Sequence, residues 1–247
     1  MAEKFFKYFD KRYREDVLKD ESENFGPVIT ISRLTGCDAV AVAKSLVKYL
    51  NKKDNTTKWR WIDKEILLNT ARELDTATHN VESYIKRHQL SGFSEMLMAI
   101  SGKHISDDKV RKTIKEVVLT ICKEGFVVLV GRGGVALTGS VKRALHVRLA
   151  APFYWRVGNI VKKRALDIEA AEEFVVDNDE KRHNLIISFL DKKPVTLDYL
   201  FDVTLNRSSF SVEQIAETLS VLYKKKMDAV SSGDYMSRKG PLMDTYG

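Results

Sequence analysis

The sequence has little of what marks a secreted, membrane-spanning or repetitive protein. Its two cysteines, Cys37 and Cys122, lie far apart with no metal-ligand spacing around them, so a reduced, cytoplasmic setting is expected. No apolar run approaches the ~20 residues that a bilayer-crossing helix needs, and no membrane partner is expected. The opening Met1-Ala2-Glu3-Lys4-Phe5 has no basic stretch followed by an apolar one, so no secretion signal is expected either. No internal repeat is present.

What is there reads as a globular chain. Its 247 residues, 44% apolar and 30% charged, can bury a substantial core as one main domain with an insertion. The net charge of +7 suits a polyanionic ligand, nucleotide or nucleic acid. The cations are spread along the chain among 34 acids, which argues against nucleic acid as the partner.

Residues 1–25 form an N-terminal extension. Phe5, Phe6, Phe9, Tyr13 and Val17 recur at helical spacing there, giving an amphipathic helix that either packs on its own body or makes a homodimer contact. Gly26-Pro27 then breaks the chain. Val28–Ile31 is a short β-branched run suited to a buried parallel strand, and Val40, Ala43, Leu46, Val47 and Leu50 follow at a helical period. Further strands are expected at Trp59–Ile62, Phe126–Val130, Leu145–Leu149 and Phe201–Leu205. Helices are expected at Phe153–Lys163, Ile168–Leu190 and Val212–Lys225, with helical pieces between Lys64 and Glu124. Strands alternating with helices predict an α/β fold, a parallel sheet wrapped on both faces. Residues 226–247 have no periodicity and are expected to be a flexible tail.

Ser32-Arg33-Leu34-Thr35-Gly36-Cys37-Asp38 joins the first strand to the first helix, the place where ligands bind in open parallel sheets. Amides and helix dipole favour a phosphate there, and Gly36 can take a positive φ. A full Walker A loop ends in Gly-Lys-Ser/Thr, but here Asp38-Ala39-Val40 stands in that place. A carboxylate ~4 Å from a phosphate charge costs about 4 kcal/mol at an effective dielectric of 20, unless it turns away. Asp38 alternatively N-caps the first helix. Arg33 is the nearest cation able to replace the lysine. Cys37, near a helix start, is either a thiol of lowered pKa or a small buried residue.

Four segments resemble the cytidylate kinase-like family of P-loop proteins. They are Val28-Ile29-Thr30-Ile31-Ser32-Arg33 with Gly36, then Ile62-Asp63-Lys64-Glu65-Ile66, then Val130-Gly131-Arg132-Gly133-Gly134, and finally Phe201–Asn206 running into Ser211–Ile215. They occur in the family's order across about residues 27–225. The resemblance implies a three-layer αβα sandwich with a five-stranded parallel sheet in residues 26–225. It also implies a helical acceptor-binding insertion at about 64–124 and a lid at about 162–184.

It further implies roles. Ser32, Arg33, Gly36, Cys37, Asp38 and Ala39 would hold donor phosphates. Asp63, Arg132, Asp179 and Arg182 would place the acceptor, Asp179 and Arg182 through an Asp-x-x-Arg pattern. Arg33, Arg156 and Arg164 would neutralise charge in flight, Arg156 and Arg164 from a basic lid that includes Lys162 and Lys163. Each has a plainer alternative: Arg132 paired with a surface carboxylate, Asp63 capping a helix, Asp179 to Arg182 on a solvated helix face. His146 and Arg148 share one face of the fourth strand, which is either partly open or lines the ligand cleft. The activity implied is transfer of the ATP γ-phosphate to a nucleoside monophosphate, CMP or dCMP by likeness. Mg²⁺ would arrive with the nucleotide and no metal site is carried by the chain. The missing lysine motivates the alternative, a non-catalytic nucleotide-binding protein with the same fold.

Overall fold

The alternation of apolar residues explains how the sheet forms. In the first strand, β1 (Val28–Arg33), Ile29 and Ile31 enter the main core, whereas Thr30 looks to the opposite face. The computed structural model describes residues 25–53, 58–63, 115, 118–119, 121–190 and 196–234. The helix expected in residues 4–20, the proposed homodimer contact and most of the 64–124 insertion lie outside these.

Five strands are described: β1, β2 (Arg60–Ile62), β3 (Val127–Val130), β4 (Ala144–Ala150) and β5 (Val203–Asn206). All pair in parallel, in the order β2-β3-β1-β4-β5. β1 is thus central, flanked by β3 in register Val28↔Val127 and by β4 in register Val28↔Ala144. The order reverses beside β1, and such a switch point opens a crevice at the strands' C-terminal ends.

Helix α1 (Ala39–Lys53) lays Val42, Ala43, Leu46 and Leu50 on one face of the sheet. Helix α5 (Val212–Ser232) adds Ile215, Ala216, Leu219 and Tyr223 on that same side. Fully burying one such leucine stabilises the fold by about 1.5–3 kcal/mol. Ser211 starts α5 with a capping box, its hydroxyl accepting from the Gln214 N–H while Gln214 answers the Ser211 N–H.

On the other face a single turn, α2 (Gly134–Leu137), packs its first residue against Leu129 and Thr30. Helices α3 (Phe153–Arg164) and α4 (Ile168–Ile187) make an antiparallel hairpin with a small core of Val157, Ile160, Ala171 and Val175. Ala165 turns the corner at φ 53°, and Asp167 caps α4 by accepting from the Ala170 N–H at 2.8 Å. A 3₁₀ turn at Asp198–Leu200 precedes β5.

Two expectations change. Residues 226–232 are helical rather than a loose tail, because α5 continues to Ser232. Met227 still packs on the core, Lys226 Nζ meets the Asp202 carboxylate at 2.7 Å, and Gly233 ends the helix at φ 81°. His146, for its part, does not line a cleft. It is fully buried, its Nδ1 2.7 Å from the Thr30 hydroxyl and its Nε2 3.1 Å from the Thr138 carbonyl. A carbonyl only accepts, so Nε2 carries the proton and Nδ1 takes the Thr30 O–H. Arg148 pairs with Asp198 at 2.6 Å and lies over the Phe201 ring.

Candidate phosphate-binding site

The loop after β1 is built against α3. Gly36 sits at φ 91°, and a Cβ there would come within 2.6 Å of the Arg156 carbonyl oxygen, so only glycine fits the approach. On α3, Arg156, Asn159 and Lys163 fall at i, i+3 and i+7 and share the face that meets the loop. Asn159 donates to the Gly36 carbonyl at 3.1 Å. Arg156, buried, donates from Nε to the Ala151 carbonyl at 3.0 Å and from Nη1 to the Thr35 carbonyl at 3.1 Å. Its Nη1 also meets Asp179 Oδ2 at 2.6 Å. Arg156 therefore braces the loop from below.

Asp38 has its carboxylate paired with a cation from α3. Its backbone is at φ 46°, its carbonyl accepts from the Val42 N–H, and its carboxylate faces Lys163 Nζ at 3.5 Å. A lysine from α3 thus approaches the loop that lacks one of its own. Ser32, Cys37 and Ala39 are buried at the end of β1 and the start of α1. Burial pushes the Cys37 thiol up from 9.0 to about 11, outweighing the nearby Arg156. The activated-thiol alternative is therefore corrected: Cys37 is a small core residue.

The Gly-Arg turn after β3 carries the second half of the site. Gly131, Arg132 and Gly133 lie at φ 73°, 58° and 68°, three successive residues in the left-handed region. For Arg132 this costs about 1–2 kcal/mol, a cost that persists where the surroundings impose it. The Arg33 guanidinium lies directly against Gly131, where any Cβ would overlap Nη1.

Arg33, expected to hold donor phosphates, has its guanidinium against Gly131. β1 runs two residues further than the apolar run suggested, which makes Arg33 part of the strand. Its guanidinium then reaches sideways over the neighbouring turn rather than into its own loop. Burial, and after it Arg182 and Arg132, push Arg33 down to about 9, against an opposing pull from Asp63. Burial and Arg182 push Arg132 down to about 10, again opposed by Asp63. Arg182 is lowered chiefly by burial, with Asp179 pulling it back. Among the described residues, Asp63 attracts Arg33 and Arg132, while Asp179 attracts Arg182 and pairs with Arg156.

Of the expected site residues, the structure gathers Arg33, Asp63, Arg132 and Arg182 into one cationic cluster beside the loop. Asp179, expected to place the acceptor, has its carboxylate on the β1–α1 loop at Thr35. Arg164 stacks on Phe174 at 4.3 Å, within the α3–α4 hairpin. That contact turns it toward α4, not the loop. Sequence reasoning missed Thr35 and Asn159, although the polar spacing along α3 pointed to the second, and it placed Lys163 in a lid rather than at the loop. Among the described residues no group of three or more His, Cys, Asp or Glu side chains could hold a metal ion, and no helix is long and apolar enough to cross a membrane.

An all-parallel sheet in this order, with a braced glycine loop between β1 and α1, defines a three-layer α/β protein. The family model described as Cytidylate kinase-like family matches residues 28–209, and the chain belongs to that family. An uncharacterized protein from Eubacterium ventriosum superimposes with TM-score 0.52 at 16% identity, over 81% of this chain and 98% of that one. Shikimate kinase from Bacteroides thetaiotaomicron gives TM-score 0.44 at 14% identity, over 80% of this chain and 98% of that one. A curated uronate isomerase from Corynebacterium glutamicum is 25% identical over 143 residues, 58% of this chain. The matched stretch is 27% of that enzyme's length.

Proposed function

We propose that this protein is a phosphotransferase moving the γ-phosphate of ATP to a nucleoside monophosphate, CMP or dCMP by family likeness. The observation that carries the proposal is the convergence of Arg33, Arg132 and Arg182 beside the β1–α1 loop, with Asp63 as the carboxylate attracting Arg33 and Arg132. Phosphoryl transfer leaves a protein little covalent chemistry to do, so positive charge and positioning supply most of the catalysis. Guanidiniums bind phosphate oxygens bidentately and suit a dianionic monophosphate.

In this reading the acceptor phosphate lies on the Arg33–Arg132–Arg182 cluster and the donor phosphates lie on the amides of Gly36–Ala39. The first amides of α1 have no partner within their own helix and favour negative charge. An acceptor phosphate oxygen, already anionic, attacks the γ-phosphorus as the bond to the β–γ bridging oxygen breaks, and ADP leaves with that electron pair. No general base is required. Mg²⁺, brought by the nucleotide, supplies charge neutralisation between the phosphates; the loop offers it no Walker-type hydroxyl, since Ala39 and Val40 stand there. Lys163, held at the loop by Asp38, is the cation nearest to the role of the absent lysine.

A coupled ADP-release assay with each nucleoside monophosphate in turn tests the proposal. Turnover with at least one is expected, and none above blank with any of them ends the enzyme reading. The loop sequence Asp38-Ala39-Val40 favours a second reading, a nucleotide-binding protein without transfer. Calorimetry showing nucleotide binding together with no turnover would select it.

A further inference from the structure

Thr35, the residue just before the Gly36–Ala39 amides, has its donors already occupied by a side chain. Asp179 Oδ1 accepts from the Thr35 N–H at 2.6 Å and from the Thr35 hydroxyl at 2.7 Å. Its Oδ2 meets Arg156 Nη1 at 2.6 Å, and Arg182 Nη1 approaches Oδ1 at 3.4 Å while also contacting the Thr35 hydroxyl. A main-chain amide, a hydroxyl and two guanidiniums closing on one anion is the donor set of a phosphate site. The residue filling it comes from α4, far from the loop in sequence.

From this contact we infer that Asp179 is an internal anion that occludes the β1–α1 loop in the ligand-free protein, and that polyphosphate binds by exchange with its carboxylate. The inference rests on the phosphate-loop reading above and deepens it, giving Asp179 a role on the donor side. The exchange keeps Arg156 and Arg182 beside an anion throughout, and Arg182 is the one of the two that also repels Arg33 and Arg132. The exchange is also local. The Asp179 and Arg182 side chains meet the loop through polar contacts, which can be traded for phosphate oxygens while Ile186 and Ile187 keep the end of α4 packed against Val135, Leu197 and Leu200.

Two measurements test this on the full chain with inorganic pyrophosphate as probe. Calorimetric titration compares the parent protein with Asp179→Asn, which keeps the shape and one acceptor but gives up the charge. A charge-assisted hydrogen bond is worth about 1.5–3 kcal/mol, so the variant should bind about 10- to 100-fold more tightly. Equal or weaker binding by a folded Asp179→Asn overturns the exchange and leaves the phosphate loop standing. Absence of binding by both proteins overturns the loop reading and the exchange together. The second measurement needs no variant: the Asp179 carboxyl carbon and the Thr35 amide are followed by NMR as pyrophosphate is added to the parent protein. Both signals should move together to one saturation point. A Thr35 amide that shifts while the Asp179 carboxyl stays fixed overturns the exchange even if Asp179→Asn does not fold.

Discussion

The guanidinium of Arg33 lies against Gly131 with Nη1 foremost, so closely that a single added carbon would overlap that nitrogen. β1 and β3 are neighbours, and the end of one strand covers the turn that leaves the other. This puts Arg33 next to Arg132. Gly131→Ala should therefore act twice, since φ 73° disfavours any side chain and the methyl group displaces Arg33. A loss of about 1–3 kcal/mol in denaturant unfolding is expected. The KM for the monophosphate should rise by about tenfold or more, the cost of one misplaced charged contact.

The position of Arg33 can be separated from a donor role by kinetics. Arg33→Ala and Arg132→Ala should each raise the monophosphate KM by about 10- to 100-fold, the value of a charge-assisted contact, with a much smaller change in the KM for ATP. Initial rates with each substrate varied in turn provide the check. A rise confined to the ATP KM would return Arg33 to the donor side.

Arg156 and Arg164 were paired by sequence as lid cations, but their surroundings predict opposite sensitivities. Arg156 is buried and ion-paired to Asp179, and breaking such a pair costs about 3–5 kcal/mol. Arg164 is exposed and stacks on Phe174, a contact worth about 0.5–1 kcal/mol. Urea unfolding of Arg156→Ala and Arg164→Ala should show this gap. Comparable losses would count against the bracing role of Arg156.

The two thiols should be inert in the native protein. Burial raises Cys37 from 9.0 to about 11 and Cys122 from 9.0 to about 12. Alkylation by iodoacetamide at pH 8 should be slow when folded and fast in denaturant. For a group whose folded pKa is raised, the linked stability is present below the unfolded value and lost above it. Stability should therefore fall as pH rises from about 9 toward 11, and replacing Cys37 with alanine should flatten part of that fall.

Much of the architecture was legible because period and polarity speak locally. The β-branched runs marked all five strands to within two residues, and the apolar spacing of Val42, Leu46 and Leu50 marked α1. The end of α5 was missed because Met227 and Lys226 are recruited by distant partners, the main core and Asp202. The polar residues of β4 were ambiguous for the same reason. His146 is satisfied by Thr30 on the paired strand and by Thr138 before β4 begins, and neither partner is visible in a periodic pattern.

By itself the sequence determined the strand–helix alternation, the glycine at the loop, the Gly-Arg-Gly turn and the absence of a Walker lysine, since these depend on residue type and spacing within a few positions. Only the tertiary structure decided which charges meet. It set Arg33 against Gly131, sank Arg156 beneath the loop and set Asp179 on the Thr35 amide. The reason is physical: such contacts act over a few ångströms, and only the packing of the sheet and the α3–α4 hairpin brings together groups as distant in sequence as Thr35 and Asp179.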